Sequence, residues 1–402
     1  MSSDVTLSAA TRQNLLSLQD TSALTATTQN RLATGKKVAS ALDNPLNFFT
    51  AQSLTGRSKD ISSLLDGISN GVQTIQAANQ GITSIQKIVD QAKSLTSQAL
   101  ATQITTTGTA ATALSTSSLT STSVVNFFVN GTQVSASGFT SASSIVDVVS
   151  ALNAVSNAQG VGNAFSIDST GKKVVLNASA DIEFADTASQ TTLGFSAGTG
   201  TGPTYGTASA AAGTSSEITV SGVTQRASLA SQYNNLLIQI TQLAGDASFN
   251  GVNLISGKNN DLTINFNPKG NSNLTVASTD ETASGLGLSA ITEKGGTSST
   301  IGQGSFLLNA DIKSTAKTLE SATDQLKADA TTLGSNLSVV QNRQDFSKQI
   351  ANILDTGSAN LTNADLNEEA ANSQALSTRQ SLGISALSLA NTAQQSILQL
   401  LR

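Results

Sequence analysis

The segment ISSLLDGISNGVQTIQAANQGITSIQKIV, residues 61–89, places Ile61, Leu65, Ile68, Val72, Ile75, Asn79, Ile82, Gln86 and Val89 at alternating steps of four and three. That is a period of 3.5, which keeps one seam of a helix facing a partner helix. Leu54 extends the seam upstream. Leu64, Ile85, Ile88 and Leu95 widen it, so more than one neighbour is expected. Asn79 and Gln86 are polar seam positions, which fix register and partner at a cost in stability. Asp43-Asn44-Pro45 marks the start, with Asn44 as N-cap and Pro45 at the first helical position.

Outward from this seam the pattern recurs. Leu229, Tyr233, Leu236, Ile240 and Leu243 step by four and three until Gly245 and Asp246. Ile312, Ala316, Leu319, Thr323, Leu326, Ala330, Leu333, Leu337 and Val340 do the same. A last helix is expected from about Leu361, through Leu366, Leu376, Leu387, Ala390, Ile397 and Leu401. The first segment, up to about Val38, can be helical, but Leu7, Leu15, Leu18 and Leu32 make too thin a stripe for a lone helix. Between the seams, residues 101–222 turn to Ser, Thr, Gly and Ala. Val124–Val129 runs into Asn130-Gly131, a hairpin signal. Ser144–Val155 reads as a helix, and Ala164–Ile167 with Lys173–Leu176 as a second hairpin around Asp168–Gly171. Gly194–Ser216 is low in complexity. Phe249–Ile255 and the alternating Leu262, Ile264 and Phe266 suggest one further hairpin.

The fold class expected is mainly α. Both chain ends form a long antiparallel helical bundle or coiled coil, with a small β-hairpin and an inserted α+β outer domain. The expected division is a terminal inner core (1–42 and 357–402), a bundle with its hairpin (43–105 and 223–356) and an outer domain (106–222). Seams on several faces of a thin bundle imply burial against other copies. The expected assembly residues are Leu7, Leu15, Leu18, Leu32, Ile61, Leu65, Ile68, Val72, Ile75, Ile82, Leu326, Leu337, Leu387, Ile397 and Leu401.

Composition removes most alternatives. The chain has 402 residues, a net charge of −5, 12% charged and 3% aromatic residues, and neither His nor Cys. His- or Cys-ligated zinc, a Cys nucleophile, a Ser-His-Asp triad and disulfides are excluded. A mildly acidic chain with few aromatics argues against a nucleic-acid groove. No stretch reaches the roughly 18 apolar residues of a membrane span, and Met1-Ser2-Ser3-Asp4 does not lead into a secretory signal core. No cofactor or metal is expected.

Three ordered blocks carry a family resemblance. Arg31-Leu32-Ala33-Thr34-Gly35 followed by Asp43-Asn44-Pro45 resembles the N-terminal pattern of bacterial flagellins. Phe249-Asn250-Gly251-Val252 with Gly257 resembles the flagellin hairpin. Asn360-Leu361 through Asp365, Glu368, Gln374, Gln380 and Leu382-Gly383 to Leu398–Arg402 resembles the flagellin C-terminus. The resemblance implies a secreted subunit of the extracellular flagellar filament. It also implies type III export, a homo-polymer, and an export chaperone, a filament cap and hook-associated junction proteins as partners. A hook–filament junction protein shares the terminal motifs, and is the alternative. One departure is the outer domain, which lies between the helices ahead of Leu229 rather than after the hairpin. A second is that Lys87, Gln91 and Gln232 stand where the family's immune-receptor patch typically has Arg, Leu and Glu, which implies weak receptor activation.

Sharper motifs have plainer readings. Gly251–Lys258 has five residues between its glycines, and Asn259 stands where a phosphate loop needs Ser or Thr. Ser314-Thr315-Ala316-Lys317 lies along the third seam. Asp365, Glu368 and Glu369 suit the start of a helix, where carboxylates meet the positive end of the dipole. Asn130, Asn177 and Asn273 begin glycosylation triplets, of which Asn130 is explained by its turn.

Overall fold

The computed structural model describes residues 9–116, 119–198, 215–291 and 306–400. Leu7, Leu401, the side chain of Ile397 and most of the low-complexity tract therefore lie outside the described residues. In chain order the elements are α1 (Ala9–Thr34), α2 (Pro45–Ala101), β1 (Thr105–Thr109), β2 (Val125–Val129), β3 (Thr132–Ala136), α3 (Ile145–Ala158), β4 (Phe165–Ile167), β5 (Val174–Ala178) and β6 (Ile182–Phe184). Then follow α4 (Thr187–Thr192), β7 (Ile218–Ser221), α5 (Val223–Asp246), β8 (Ser248–Phe249), β9 (Val252–Asn253), β10 (Leu262–Asn265), β11 (Asn273–Val276), α6 (Asn309–Thr362) and α7 (Leu366–Leu400). The fold is mainly helical, with long helices at both ends and small antiparallel sheets between them. The chain forms two compact units, and α2 and α6 each contribute to both.

The first unit holds residues 9–69, 264–274 and 340–400. Here α1 and α7 run antiparallel. The Arg31 guanidinium meets the Glu369 carboxylate at 3.0 Å, and a Cβ on Gly383 would lie 2.8 Å from Leu18. The segments after α1 and before α7 meet at one corner, where Lys36 and Asn363 form an antiparallel bridge and the Ala364 N–H donates to the Gly35 carbonyl. Asn44 accepts from the Asn47 N–H at 3.0 Å, so it caps α2 as its spacing predicts. Beyond the cap α2 lies antiparallel to α6. Ser358 Oγ donates to the Ala51 carbonyl, and Ser58 Oγ to that of Ala351.

The α6 helix corrects the expected boundary. It runs unbroken from Asn309 to Thr362, so Leu361 belongs to its last turn rather than to a new helix. Buried Ser347, Ala351 and Leu354 carry the seam on from Val340. Two of those positions carry the small Ser347 and Ala351, so hydropathy did not extend the seam through them. The following helix starts only after Asp365, whose carboxylate accepts from the Asn367 and Glu368 N–H groups. That is a capping geometry.

The second unit holds the described parts of 70–263 and 275–339. Its α2 seam buries Ile75, Ala78, Ile82, Ile85, Val89 and Ala92 completely. Asn79 and Gln86 are half-buried at the margin instead of at its centre. On α5 the buried row is Leu229, Tyr233, Leu237, Ile240 and Ala244, with Leu236 and Leu243 half-buried. Both shifts have one cause. A helix with several neighbours buries a wide face at 3.6 residues per turn, not a strict 3.5-period seam.

Residues 105–221 form two sheets, ordered β4-β5-β1-β7 and β3-β2-β6. Asn130, at φ 48°, and Gly131, at φ 81°, make the turn between β2 and β3. Ser144 caps α3 in a reciprocal box with Asp147. Phe127 and Phe165 pack edge to face, their ring centroids 5.5 Å apart, in a core with Phe139, Phe184, Leu152 and Leu176. After α5, two small hairpins replace the one expected: β8 pairs with β9, and β10 with β11.

Candidate assembly surface

The pair α1–α7 is packed with its polarity inverted. Thr11, Thr21 and Thr28 on α1 are buried, whereas Leu16 is 60% and Leu24 52% exposed. On α7 Leu382, Ile384 and Leu389 are 66%, 53% and 73% exposed. The Thr21 hydroxyl donates to the Ser17 carbonyl one turn back, which satisfies it locally at its buried position. A helix pair that turns threonine inward and leucine outward leaves its larger apolar payload uncovered.

Two further stripes lie in the same unit. Leu42, Leu46 and Phe49, at spacings of four and three, are 95%, 77% and 59% exposed. Leu46 and Phe49 line the side of α2 away from buried Ala51 and Ser58, and Leu42 stands in the turn before the helix. The turn carrying Leu42 is held by Asp43, which accepts from the Ala39 and Ser40 N–H groups at 2.9 Å. Those backbone bonds, Ser40's first, hold the Asp43 carboxyl below its ordinary range. On α6, Phe346 and Ile353 are 56% and 65% exposed.

The residues singled out from the sequence divide accordingly. Ile68, Ile75, Ile82 and Leu326 are wholly buried within the single chain, and Val72 nearly so. Ile61, Leu65, Leu337, Leu18, Leu32 and Leu387 are half-buried, and Leu15 is exposed. Sequence reasoning followed the seams and missed the stripes off them. The available signal was a second apolar row, such as Leu46-Phe49, on the opposite side of a helix that already had a seam.

Arg226 was also missed. Only 3% exposed, its guanidinium donates to the carbonyls of Thr102, Phe306 and Leu307 and to Asn309 Oδ1 at 2.7–3.1 Å. It thereby ties the end of α2 and the start of α6 to the first turn of α5, as a planar five-donor fork can. Nothing in local spacing announces such a residue.

The motifs with plainer readings are structural here. Asn253, inside the phosphate-loop look-alike, donates to the Ala244 and Gly245 carbonyls and closes the end of α5. Ser314 and Lys317 are exposed on α6. Gln91 and Gln232 line a shallow groove of about 390 Å³ between α2 and α5, and Lys87 is exposed on α2. Asp181 is buried beside Glu183, and burial first, then that neighbour, pushes its carboxyl up to about 8. Among the described residues no helix is long and apolar enough to cross a membrane.

Residues 5–135 match the family model described as bacterial flagellin N-terminal helical region, and residues 316–401 the C-terminal one. Together these matches cover just over half of the chain. The chain is 34% identical over 174 residues to flagellin FljM of Caulobacter vibrioides, covering 43% of this chain and 59% of that protein. It is 28% identical over 180 residues to a flagellin of Brucella melitensis, covering 42% and 60%. Against flagellin A of Rhizobium meliloti it is 41% identical over 83 residues, 21% of each chain. The matched part thus spans about 59% of the Caulobacter relative's length.

Proposed function

The chain belongs to the bacterial flagellin family, and on that premise we propose that it is a structural subunit that polymerises helically into the extracellular flagellar filament for swimming. The observation that carries this reading is the inverted α1–α7 pair, whose exposed leucines have no cover within one copy. Covering Leu16, Leu24, Leu382, Ile384 and Leu389 against neighbouring copies would contribute roughly 5–8 kcal/mol per subunit, an energy on the scale of assembly. The α2 and α6 stripes add two further contact faces. Contacts between two different faces are head-to-tail, and where their rotation does not close they generate helical polymers. The wholly buried seam residues hold the single copy together, and the exposed and half-buried ones carry the contacts between copies. An export chaperone, a filament cap and junction proteins follow from the family as partners. The relatives reported above are themselves named flagellins, which favours the filament over the junction reading.

The test substitutes Leu16→Ser together with Leu389→Ser. The monomer keeps its helical circular dichroism, while the concentration needed for seeded polymerisation, read by sedimentation, rises at least about tenfold. Polymerisation at the wild-type concentration would contradict the reading.

A further inference from the structure

Under the segment that follows β11, acidic side chains meet without a basic partner. Glu281 is fully buried, and neither of its carboxyl oxygens has a hydrogen-bond donor. Its carboxyl faces Asp329 on α6, with Asp280 and the Thr279 hydroxyl beside it on its own segment. That hydroxyl lies 3.5 Å from the Leu254 carbonyl, to which it donates. No basic side chain is among the groups acting on Glu281. Among the described residues, no group of three or more His, Cys, Asp or Glu side chains is arranged to hold a metal ion. Two facing carboxylates offer each other only acceptors, so a bond between them requires a proton.

We propose that Glu281 and Asp329 share one proton, which latches residues 279–291 to α6, and that alkali releases this latch. The same segment is bonded elsewhere to other elements. The Glu281 N–H donates to the Ile255 carbonyl at 2.9 Å, and the Ala283 N–H to Thr241 Oγ1 on α5 at 3.4 Å. Asn234 on α5 exchanges two bonds of 2.9 Å with the Ile291 backbone. The acid pair supplies the tie to α6. When its proton leaves, Glu281 carries a charge in a fully buried position, with the half-buried Asp329 and Asp280 beside it and no basic group to offset it.

Burial first, then Asp329, holds the Glu281 carboxyl up at about 8 against an ordinary 4.5. The folded chain therefore binds this proton more tightly than the unfolded chain. The stability it contributes is complete below about pH 4.5 and is lost as pH rises through about 8.

The experiment uses the full monomeric chain, so its outcome is independent of the polymerisation reading. Carboxyl ¹³C NMR follows Glu281, assigned by the signal missing from Glu281→Gln, while amide exchange follows residues 279–291. The expected titration midpoint is about 8, with amide protection, corrected for intrinsic exchange, falling about tenfold from neutral to alkaline pH. Glu281→Gln keeps its protection, because the amide donates to Asp329 at every pH. If that variant does not fold, Asp329→Asn serves, and the Glu281 midpoint then falls. A wild-type midpoint in the ordinary carboxylate range, an equal loss of protection in Glu281→Gln, or an unmoved midpoint in Asp329→Asn would each overturn the proposal.

Discussion

Two glycines on α2 show how packing decides what propensity alone leaves open. A Cβ at Gly67 would meet nothing within 4 Å, whereas one at Gly81 would lie 2.6 Å from Ala247 Cβ and from Ile255 Cδ1. The helix gains about 1 kcal/mol from Gly→Ala at either site. At Gly81 the crowding, worth about 1–3 kcal/mol, meets and exceeds that gain. Gly67→Ala should therefore raise the thermal midpoint of the monomer and Gly81→Ala should lower it, as calorimetry would read. Equal shifts in one direction would mean that the β8–β9 hairpin does not approach α2 as described. Neither outcome was legible in the sequence, where both residues are merely helix-weakening glycines. Arg226 stayed illegible for a related reason, since its partners at Thr102, Phe306 and Leu307 are far away in the chain.

At the scale of elements, periodicity located the helices and composition blurred their ends. The α2 start was legible because Asn44-Pro45 is a local signal, and the β2–β3 turn because Asn130-Gly131 is one. Strand β1, Thr105–Thr109, was missed because Thr-Thr-Thr-Gly-Thr shows no apolar alternation. Its place is set by antiparallel pairing with β5 and β7, which lie far along the chain. The candidate surface was half legible, because seams were visible and off-seam stripes were not sought. Helix α1 turns threonines inward, and both terminal helices leave leucines outward, which yields a direct prediction for α7. A chain ending at Leu376 loses Leu382, Ile384 and Leu389 but none of the residues of α2, α5 or α6. It should fold as a monomer with its α2–α6 pairing intact, yet fail to sediment as polymer at any seed concentration. Normal filaments from that truncation would assign assembly to other elements.

The whole molecule separates two kinds of interior. Six of its twelve phenylalanines lie in residues 105–221, and five of them, all but Phe128, share the conventional aromatic core there. The helical regions rely mainly on Ile, Leu, Val, Ala and Thr positions instead. Since Gly108 pairs with Ile218, β1 and β7 can be joined directly. Replacing residues 110–216 by Asn-Gly keeps Thr109 opposite Glu217, should close them as a hairpin and should leave polymerisation largely unchanged, measured as seeded growth. The central claim is that the leucines left bare on the terminal helices are buried by other copies. A cryo-electron-microscopy map of filaments grown from the purified chain tests it most directly. The account predicts a helical polymer in which Leu16, Leu24, Leu382 and Leu389 are enclosed by neighbouring subunits. Filaments in which those four side chains still face solvent, or a chain that forms no filament on seeding, would contradict it.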